Sequence, residues 1–507
     1  MLPLLVLAAA DAIVMDGDFN DWNGVTNTIC VDAFDAAAGG PDLGTTKWTA
    51  NGDTLHLWLE LCAKGGPMLN LQAMDYRLLL VMDTDGQPQS GSNCHGLPGS
   101  EAMLSMPGPD RRDPNKPGMG AALLNSDGKK YQAAWVGEGT QPAWSAGIAT
   151  APATSGRAFE FSVGRRPGFL SGKSATLKWV VLDGAGGVID ETPASTIALP
   201  KFAPAKPTMA PSSDFDRAAD VDFRLVNWNV EWGNLLDERV PAGRLLAALA
   251  PDAILLQEMM TEQDEDEIVA MLEEAMPITG GWKVQVGKAG GRIRCAVAIR
   301  GDRVASVPGL SSVATNRSAA AAIRTDSGPV TLIATHLKCC GRDGSKEDTK
   351  RISEAEELRD AIAKKLGQSH RVVLAGDLNL VGSQIPLERL EESGLTTIDM
   401  RQPDGATTAT WDNESSSFLP GRLDYVLHSR QLNPTMAVVF DTQDVDPSWL
   451  PHSLRREASD HLPLVVEFQS GSVNAGPPKI RFRRITTPFG TMAVSYTHLT
   501  LPTTPYV

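Results

Sequence analysis

Apolar residues follow a short period in the first two-fifths of the chain and come in blocks beyond about residue 220. Thr54–Leu61 alternates apolar and polar positions, and Tyr76–Met82 and Leu177–Leu182 are further strand-like runs bounded by Gly, Asp and Pro. No amphipathic helix of normal length interrupts them, so residues 13–200 are expected to form an antiparallel β-sandwich. Residues 201–220 are rich in Pro and Ala, with Pro204, Pro207 and Pro211, which is the chemistry of a stiffened linker. In residues 221–470, strands at Asp222–Val230, Ala253–Leu256, Ile293–Ile299, Val330–Ala334 and Val372–Ala375 alternate with helical patterns. Pro241–Leu249 is one helix. Lys346–Leu366 is another, with Ile352, Ala355, Leu358, Ile362 and Leu366 at steps of three and four. This second region reads as a layered α/β fold.

The chain has 507 residues, enough for two large domains. With 42% hydrophobic and 21% charged residues it is ordinary globular protein, not collagen-like, disulfide-knotted or largely disordered. The formal charge is −15, and residues 221–470 carry 26 basic against 37 acidic side chains. That acidity argues against coating nucleic acid through Lys and Arg, and specifically against long duplex DNA. It leaves room for an enzyme that touches a few phosphates in one cleft.

No apolar run is long enough to span a bilayer. Residues 1–12, an apolar core followed by small residues, read as a signal peptide and so as export, although a buried first strand would have the same composition. Residues 471–493 form a tail or the start of a further module. Residues 494–507 resemble the translation of sequencing-adapter DNA and are set aside from fold reasoning. Of six cysteines, Cys295 could pair with Cys339 or Cys340 in an exported protein, or all could be free thiols.

The chemistry lies in where polar residues interrupt the apolar strands. Asn229, Glu258 and His336 each close one, Asp377 and Asn379 together close another, Asp424 lies within Arg422–Leu427, and Asp460-His461 precede Leu462–Val466. Singly, each has a plain structural reading: a turn, a helix cap for Glu258, a core histidine for His336. Together they suit one cleft at the strand ends of a layered α/β fold.

In order and wording the segments Trp228-Asn229-Val230, Leu256-Gln257-Glu258, Thr335-His336-Leu337, Gly376-Asp377-Leu378-Asn379, Arg422-Leu423-Asp424-Tyr425 and Ser459-Asp460-His461 resemble the endonuclease/exonuclease/phosphatase superfamily. The resemblance implies a DNase-I-like four-layered α/β sandwich and a divalent metal, usually Mg²⁺ with Mn²⁺ as a substitute. It implies Glu258 as principal metal ligand, with Asp460 and Asn229 completing the site. Asp377 orients or deprotonates water, Asn379 holds water and phosphate in line, and His461 pairs with Asp424. His336 donates to phosphate or to the leaving oxygen. Whether Asp377 or His461 is the general base stays open. Lys338, Arg342 and Lys346 are either phosphate contacts or a solvated loop. His370, His428 and His452 match no motif and read as structural. The abasic-endonuclease continuation after Asn229 is absent, which places the chain nearer the extracellular nuclease and phosphodiesterase branch.

The N-terminal region, with Met15–Trp22 and Met82–Gly91, resembles family-9-type carbohydrate-binding β-sandwiches. The resemblance implies a polysaccharide or surface as partner. Asp83 and Asp85 either bind Ca²⁺ or form an Asx-turn. The expected function is a secreted, metal-dependent phosphodiesterase, foremost a nuclease, with phospholipid (sphingomyelin) or inositol phosphate as alternative substrates. An adhesion protein using the fold as a scaffold is the reading from another class.

Overall fold

The computed structural model describes residues 12–33, 35, 40–206, 209–307, 310, 317–365, 371–470, 485–487 and 490–492. All but the last residue of the expected leader, the adapter-like tail, His370 and most of 471–493 lie outside them.

The N-terminal region is a sandwich of two antiparallel sheets. One orders the strands 28–30, 46–50, 54–60, 158–164 and 149–151; the other orders 188–191, 174–182, 77–83, 102–106 and 122–125, with 195–198 also pairing 174–182. Alternation in Thr54–Glu60 puts Leu55, Leu57 and Leu59 into the core against Leu78, Leu80, Met82 and Trp179. Arg77–Asp83 alternates poorly because both its faces are covered: Leu79 and Val81 pack in a second cluster with Leu97, Met103 and Val180. Among the described residues of this domain the longest α-helix is Pro142–Ser145.

The C-terminal domain is a four-layered α/β sandwich. Its first sheet contains β1 (Phe223–Asn229), β2 (Ala253–Met260), β3 (Trp282–Val286), β4 (Ile293–Arg300), β10 (Leu432–Val439) and β11 (Leu464–Ser470), ordered β3-β4-β2-β1-β11-β10. The second contains β5 (Ser318–Thr325), β6 (Gly328–His336), β7 (Arg371–Asp377), β8 (Leu395–Thr397) and β9 (Asp424–Ser429), ordered β5-β6-β7-β9-β8. Residues from both sheets, including Leu225, Leu255, Val297, Leu332, Val373 and Val466, form the buried layer between them. Helices α1 (Arg239–Leu249) and α2 (Glu265–Ala275) cover the first sheet, and α3 (Lys346–Lys365) and α4 (Ile385–Glu391) cover the second. Ala355, Leu358 and Ile362 are the buried stripe of α3, as its periodicity requires. Among the described residues no helix is long and apolar enough to cross a membrane.

Register brings the polar strand ends to one edge. β1 and β2 run parallel with Asn229 opposite Gln257, and β6 and β7 run parallel with His336 opposite Asp377. Strands β9 and β11 run antiparallel to β7 and β1, so Asp424, opposite Asp377, and the residues just before β11 reach the same edge. Gly376 is required here, because a Cβ on it would stand 1.8 Å from the Thr335 carbonyl oxygen.

The stretch between the domains does not hang free: Ala210 bonds Asp444, and Phe215 stacks on Trp449 with ring centroids 5.4 Å apart. The domains also touch directly. Asn70 bonds Val381 and Asp343, Ala121 bonds Ser417, and Leu419 of the C-terminal domain is buried in the sandwich core cluster. The six cysteines are all free. The suggested Cys295 disulfide is therefore not formed; its buried sulfur faces the Arg317 carbonyl at 3.1 Å.

Candidate active site

Glu258 does not cap a helix: it lies inside β2, and α2 begins at Glu265 with Asp264 and Glu267 as a reciprocal capping box. A register shift between Leu256 and Met259 accompanies a φ of 59° at Glu258, a local bulge that re-aims its side chain. Glu231, Trp232, Arg317, Cys340 and Asn379 also have positive φ, so six of the nine described non-glycine residues in this conformation cluster around one edge. Strain concentrated in this way is characteristic of a site whose geometry the rest of the fold enforces.

Two carboxylates and an imidazole converge there. Ligand atoms of Glu258, His336 and Asp377 all lie within 4.8 Å of one another. The amide nitrogen of Asn229 donates to Asp377 Oδ2 at 3.0 Å and Glu258 Oε1 at 3.2 Å, while its oxygen accepts from the Glu231 N–H. His336 Nε2 stands 3.5 Å from Asp377 Oδ2 and 3.7 Å from Glu258 Oε1, makes a hydrogen bond to neither, and is buried without a partner. Its other nitrogen faces Arg317 Nη2 at 3.5 Å, which makes Nδ1 the acceptor and Nε2 the N–H. Burial first, then the Arg317 charge, holds this imidazole well below its usual pKa and so neutral.

His461 is the opposite case. Burial opposes its charge, but the Asp424 carboxylate, bonded to Nδ1 at 2.8 Å, together with Asp377 and Asp460, raises its pKa to about 10. Thr410 Oγ accepts from the Leu423 and Asp424 N–H groups and donates to Asp424 Oδ2 at 2.7 Å, fixing that carboxylate. His461 Nε2 points toward Asp377 Oδ2 at 3.9 Å. Trp228 Nε1 bonds the His461 carbonyl, and Ser459 Oγ bonds the Asn229 carbonyl, stitching this segment to β1. Burial, with Asp424 and Glu258 as like charges, pushes the Asp377 carboxyl up despite the His461 cation. The N–H of Asn379 donates to Asp377 Oδ1 at 2.8 Å.

Asp460 stands apart from the Glu258–His336–Asp377 group. Its Oδ2 accepts from Trp411 Nε1 at 2.9 Å and Asn413 Nδ2 at 3.1 Å, and its Oδ1 lies 4.0 Å from His461 Nε2. The sandwich braces the loop that supplies these donors: Trp144 Nε1 bonds Asp412, and the Gln141 N–H bonds the Glu414 carbonyl. Arg342 does not face the cleft. It pairs with Asp75 of the sandwich at 2.8 Å, an interdomain role the sequence did not suggest. Lys338 Nζ lies 3.5 Å from Cys339 Sγ. His428 and His452 bond backbone carbonyls away from the cleft. In the sandwich, Asp83 and Asp85 group with Glu101, but Asp83 Oδ1 accepts from Gly86 and Gln87 and Asp85 Oδ1 from Gln87, as in a turn.

Sequence reasoning missed Arg317, Glu231, Thr410, Trp411 and Asn413. Arg317 borders a strand of small residues and Thr410 lies in a Thr-rich loop, so neither ends an apolar run. Only the Glu231-Trp232 dipeptide, two residues beyond Asn229, carries a signal, through its nearness to a site residue.

The donor set suits a hard divalent cation. Two carboxylates converge beside a neutral amide and a neutral imidazole, and the burial and like charge that push the Asp377 carboxyl up are what a bound cation would relieve.

Residues 226–461 match the family described as Endonuclease/Exonuclease/phosphatase. No curated protein matches the sequence. Among solved structures, a D. rerio TDP2 humanized by 14 mutations is similar at 17% identity, over 48% of this chain and 98% of that one, with a TM-score of 0.35. An endonuclease/exonuclease/phosphatase from Bacteroides vulgatus is similar at 14% identity, over 49% and 99%, with a TM-score of 0.37. ANGEL2, a 2′,3′-cyclic phosphatase, is similar at 15% identity, over 49% and 95%, with a TM-score of 0.35.

Proposed function

Residues 226–461 belong to the endonuclease/exonuclease/phosphatase family, and from that premise we propose that this protein is a divalent-metal-dependent phosphodiesterase acting on nucleic acid. The observation that carries the reading is the convergence of Glu258, His336, Asp377 and the Asp424–His461 pair on one edge. A binding scaffold has no need for a buried imidazolium beside a buried carboxylate.

The substrate is already anionic, and water attack adds charge to its equatorial oxygens, so fixed donors must meet that charge. Glu258 would hold the cation, with Asp460 and Asn229 at its rim, and the bound cation would neutralise phosphoryl charge. Asp377, steadied by the Asn379 N–H, orients the attacking water and receives its proton. His461 is held as a donor by Asp424 and offers its Nε2–H to a phosphoryl oxygen. Neutral His336 offers a second N–H from its unpartnered Nε2. Arg317 takes a phosphate-contact role, one of the two readings that the sequence leaves open for Arg342.

Trp232 favours nucleic acid over lipid or inositol phosphate. Trp232 is 56% exposed while its backbone N–H donates to Glu258 Oε2, so an exposed indole is carried by a residue tied to the proposed cation ligand. Indoles of this kind stack bases without sequence preference. The acidic domain suits short single strands over duplex. Single-stranded DNA, RNA, duplex DNA, sphingomyelin and inositol phosphates, compared with Mg²⁺ present, test the assignment. Cleavage of single strands above all others supports it, and preference for either of the last two overturns it.

A further inference from the structure

Adjacent side chains in an extended segment point to opposite sides, which keeps neighbouring sulfurs apart. Immediately after β6 the chain instead turns with Cys340 at φ 68°, and the sulfurs of Cys339 and Cys340 stand 3.0 Å apart. This turn is held from α3. Glu354 accepts from the Lys338 N–H at 2.7 Å, and Arg351 Nη1 donates to the Lys338 and Cys340 carbonyls at 2.6 and 3.1 Å. Arg351 is fully buried and anchored on Asp348 at 3.1 Å. The conformational cost of bringing the thiols together is thus already met by the fold.

The two sulfurs are not equivalent. Cys339 accepts from the Cys340 S–H and lies 3.5 Å from the Lys338 ammonium, whereas Cys340 is exposed to solvent. The first is the better nucleophile and the second is placed to resolve what it forms.

We propose that Cys339 and Cys340 are a reversibly oxidised vicinal dithiol, a redox-modification site on the segment that follows His336. The oxidant is a hydroperoxide. The Cys339 thiolate attacks one peroxide oxygen, the O–O bond breaks, and the sulfur, oxidised by two electrons, becomes a sulfenic acid as the other oxygen leaves as alcohol or water. Cys340 sulfur then attacks the Cys339 sulfur, the S–O bond breaks, and hydroxide leaves with the Cys340 proton as water. Two thiols and one hydroperoxide thereby give one disulfide, one alcohol (water, from hydrogen peroxide) and one water, and an external dithiol reverses the change. Oxidation removes the sulfur partner of Lys338. The proposal does not depend on the reaction proposed for the neighbouring cleft.

The test uses the reduced full chain treated with equimolar hydrogen peroxide, then alkylated, digested and weighed. The expected product is a loss of two hydrogen masses confined to the peptide containing Cys339 and Cys340, restored by dithiothreitol. In Cys340→Ser, dimedone should trap a sulfenic acid on Cys339 instead. Phenylarsine oxide, which bridges paired thiols, should bind reduced wild type and protect both cysteines from alkylation, a measurement that needs no variant. The proposal is overturned if both cysteines remain alkylatable after peroxide, if dimedone labels Cys339 equally in wild type and Cys340→Ser, or if the arsenical leaves the pair unprotected.

Discussion

Asp424→Asn isolates the electrostatic part of the proposed dyad. The substitution keeps shape and leaves an oxygen able to accept from Thr410 Oγ at 2.7 Å and His461 Nδ1 at 2.8 Å. Thr410 enforces that orientation, because both of its acceptor positions are taken by backbone N–H groups and its own hydrogen must go to residue 424. The His461 tautomer therefore survives and only the carboxylate charge is lost. Both partners are buried, Asp424 at 1% and His461 at 6% exposure, so solvent screens the pair little. A hydrogen bond to a charged group contributes about 1.5–3 kcal/mol. Losing the charge should lower kcat/KM by roughly 10- to 150-fold, at tenfold per 1.4 kcal/mol. The assay is hydrolysis of a p-nitrophenyl phosphodiester in saturating Mg²⁺, with urea unfolding run alongside. Wild-type turnover in a folded Asp424→Asn protein would refute the role given to this pair.

Trp232→Ala should raise KM for a single-stranded oligonucleotide by about 1–3 kcal/mol of lost stacking and leave turnover of a small aryl phosphodiester unchanged; equal effects on both substrates would count against base stacking. Glu467→Gln leaves the buried Arg224 guanidinium, now 2.5–3.1 Å from the carboxylate, without a counter-charge. Urea unfolding should show a loss of about 3–5 kcal/mol. Burial lowers His56 to about 4, with Nδ1 unpartnered. The unfolded chain therefore binds the proton first, and stability that is complete above about pH 6.5 declines as pH falls toward 4. His56→Gln should flatten the difference in unfolding midpoint between pH 7 and pH 5; an unchanged difference rejects that assignment. Glu258→Gln should shift the Mg²⁺ dependence of hydrolysis at least tenfold upward, read from a metal titration.

The layered domain was legible because each of its central strands is an apolar block that stops at a polar residue, and the same stops mark the strand ends that register gathers on one edge. The loose alternation of Arg77–Asp83 became intelligible only with its second covering layer. Arg342 stays open in the sequence between a phosphate contact and a solvated loop, because a cation in a loop after His336 has two surfaces within reach, and sequence does not show that Asp75 lies on the nearer one. Arg317 was missed because its position follows from the pairing of Ser318 with Thr335, a long-range register that no local pattern encodes. Thr410, Trp411 and Asn413 act from a loop braced by the other domain, and such bracing leaves no periodic trace.

The sharpest test of the metal-dependent phosphodiesterase reading is hydrolysis of bis-p-nitrophenyl phosphate with Mg²⁺, compared between wild type and Asp377→Asn. Metal-dependent turnover is expected in wild type, with a loss of about 10²–10³-fold in the variant, the scale of a missing transition-state contact. No turnover in the wild-type protein, or turnover untouched by the substitution, would contradict it.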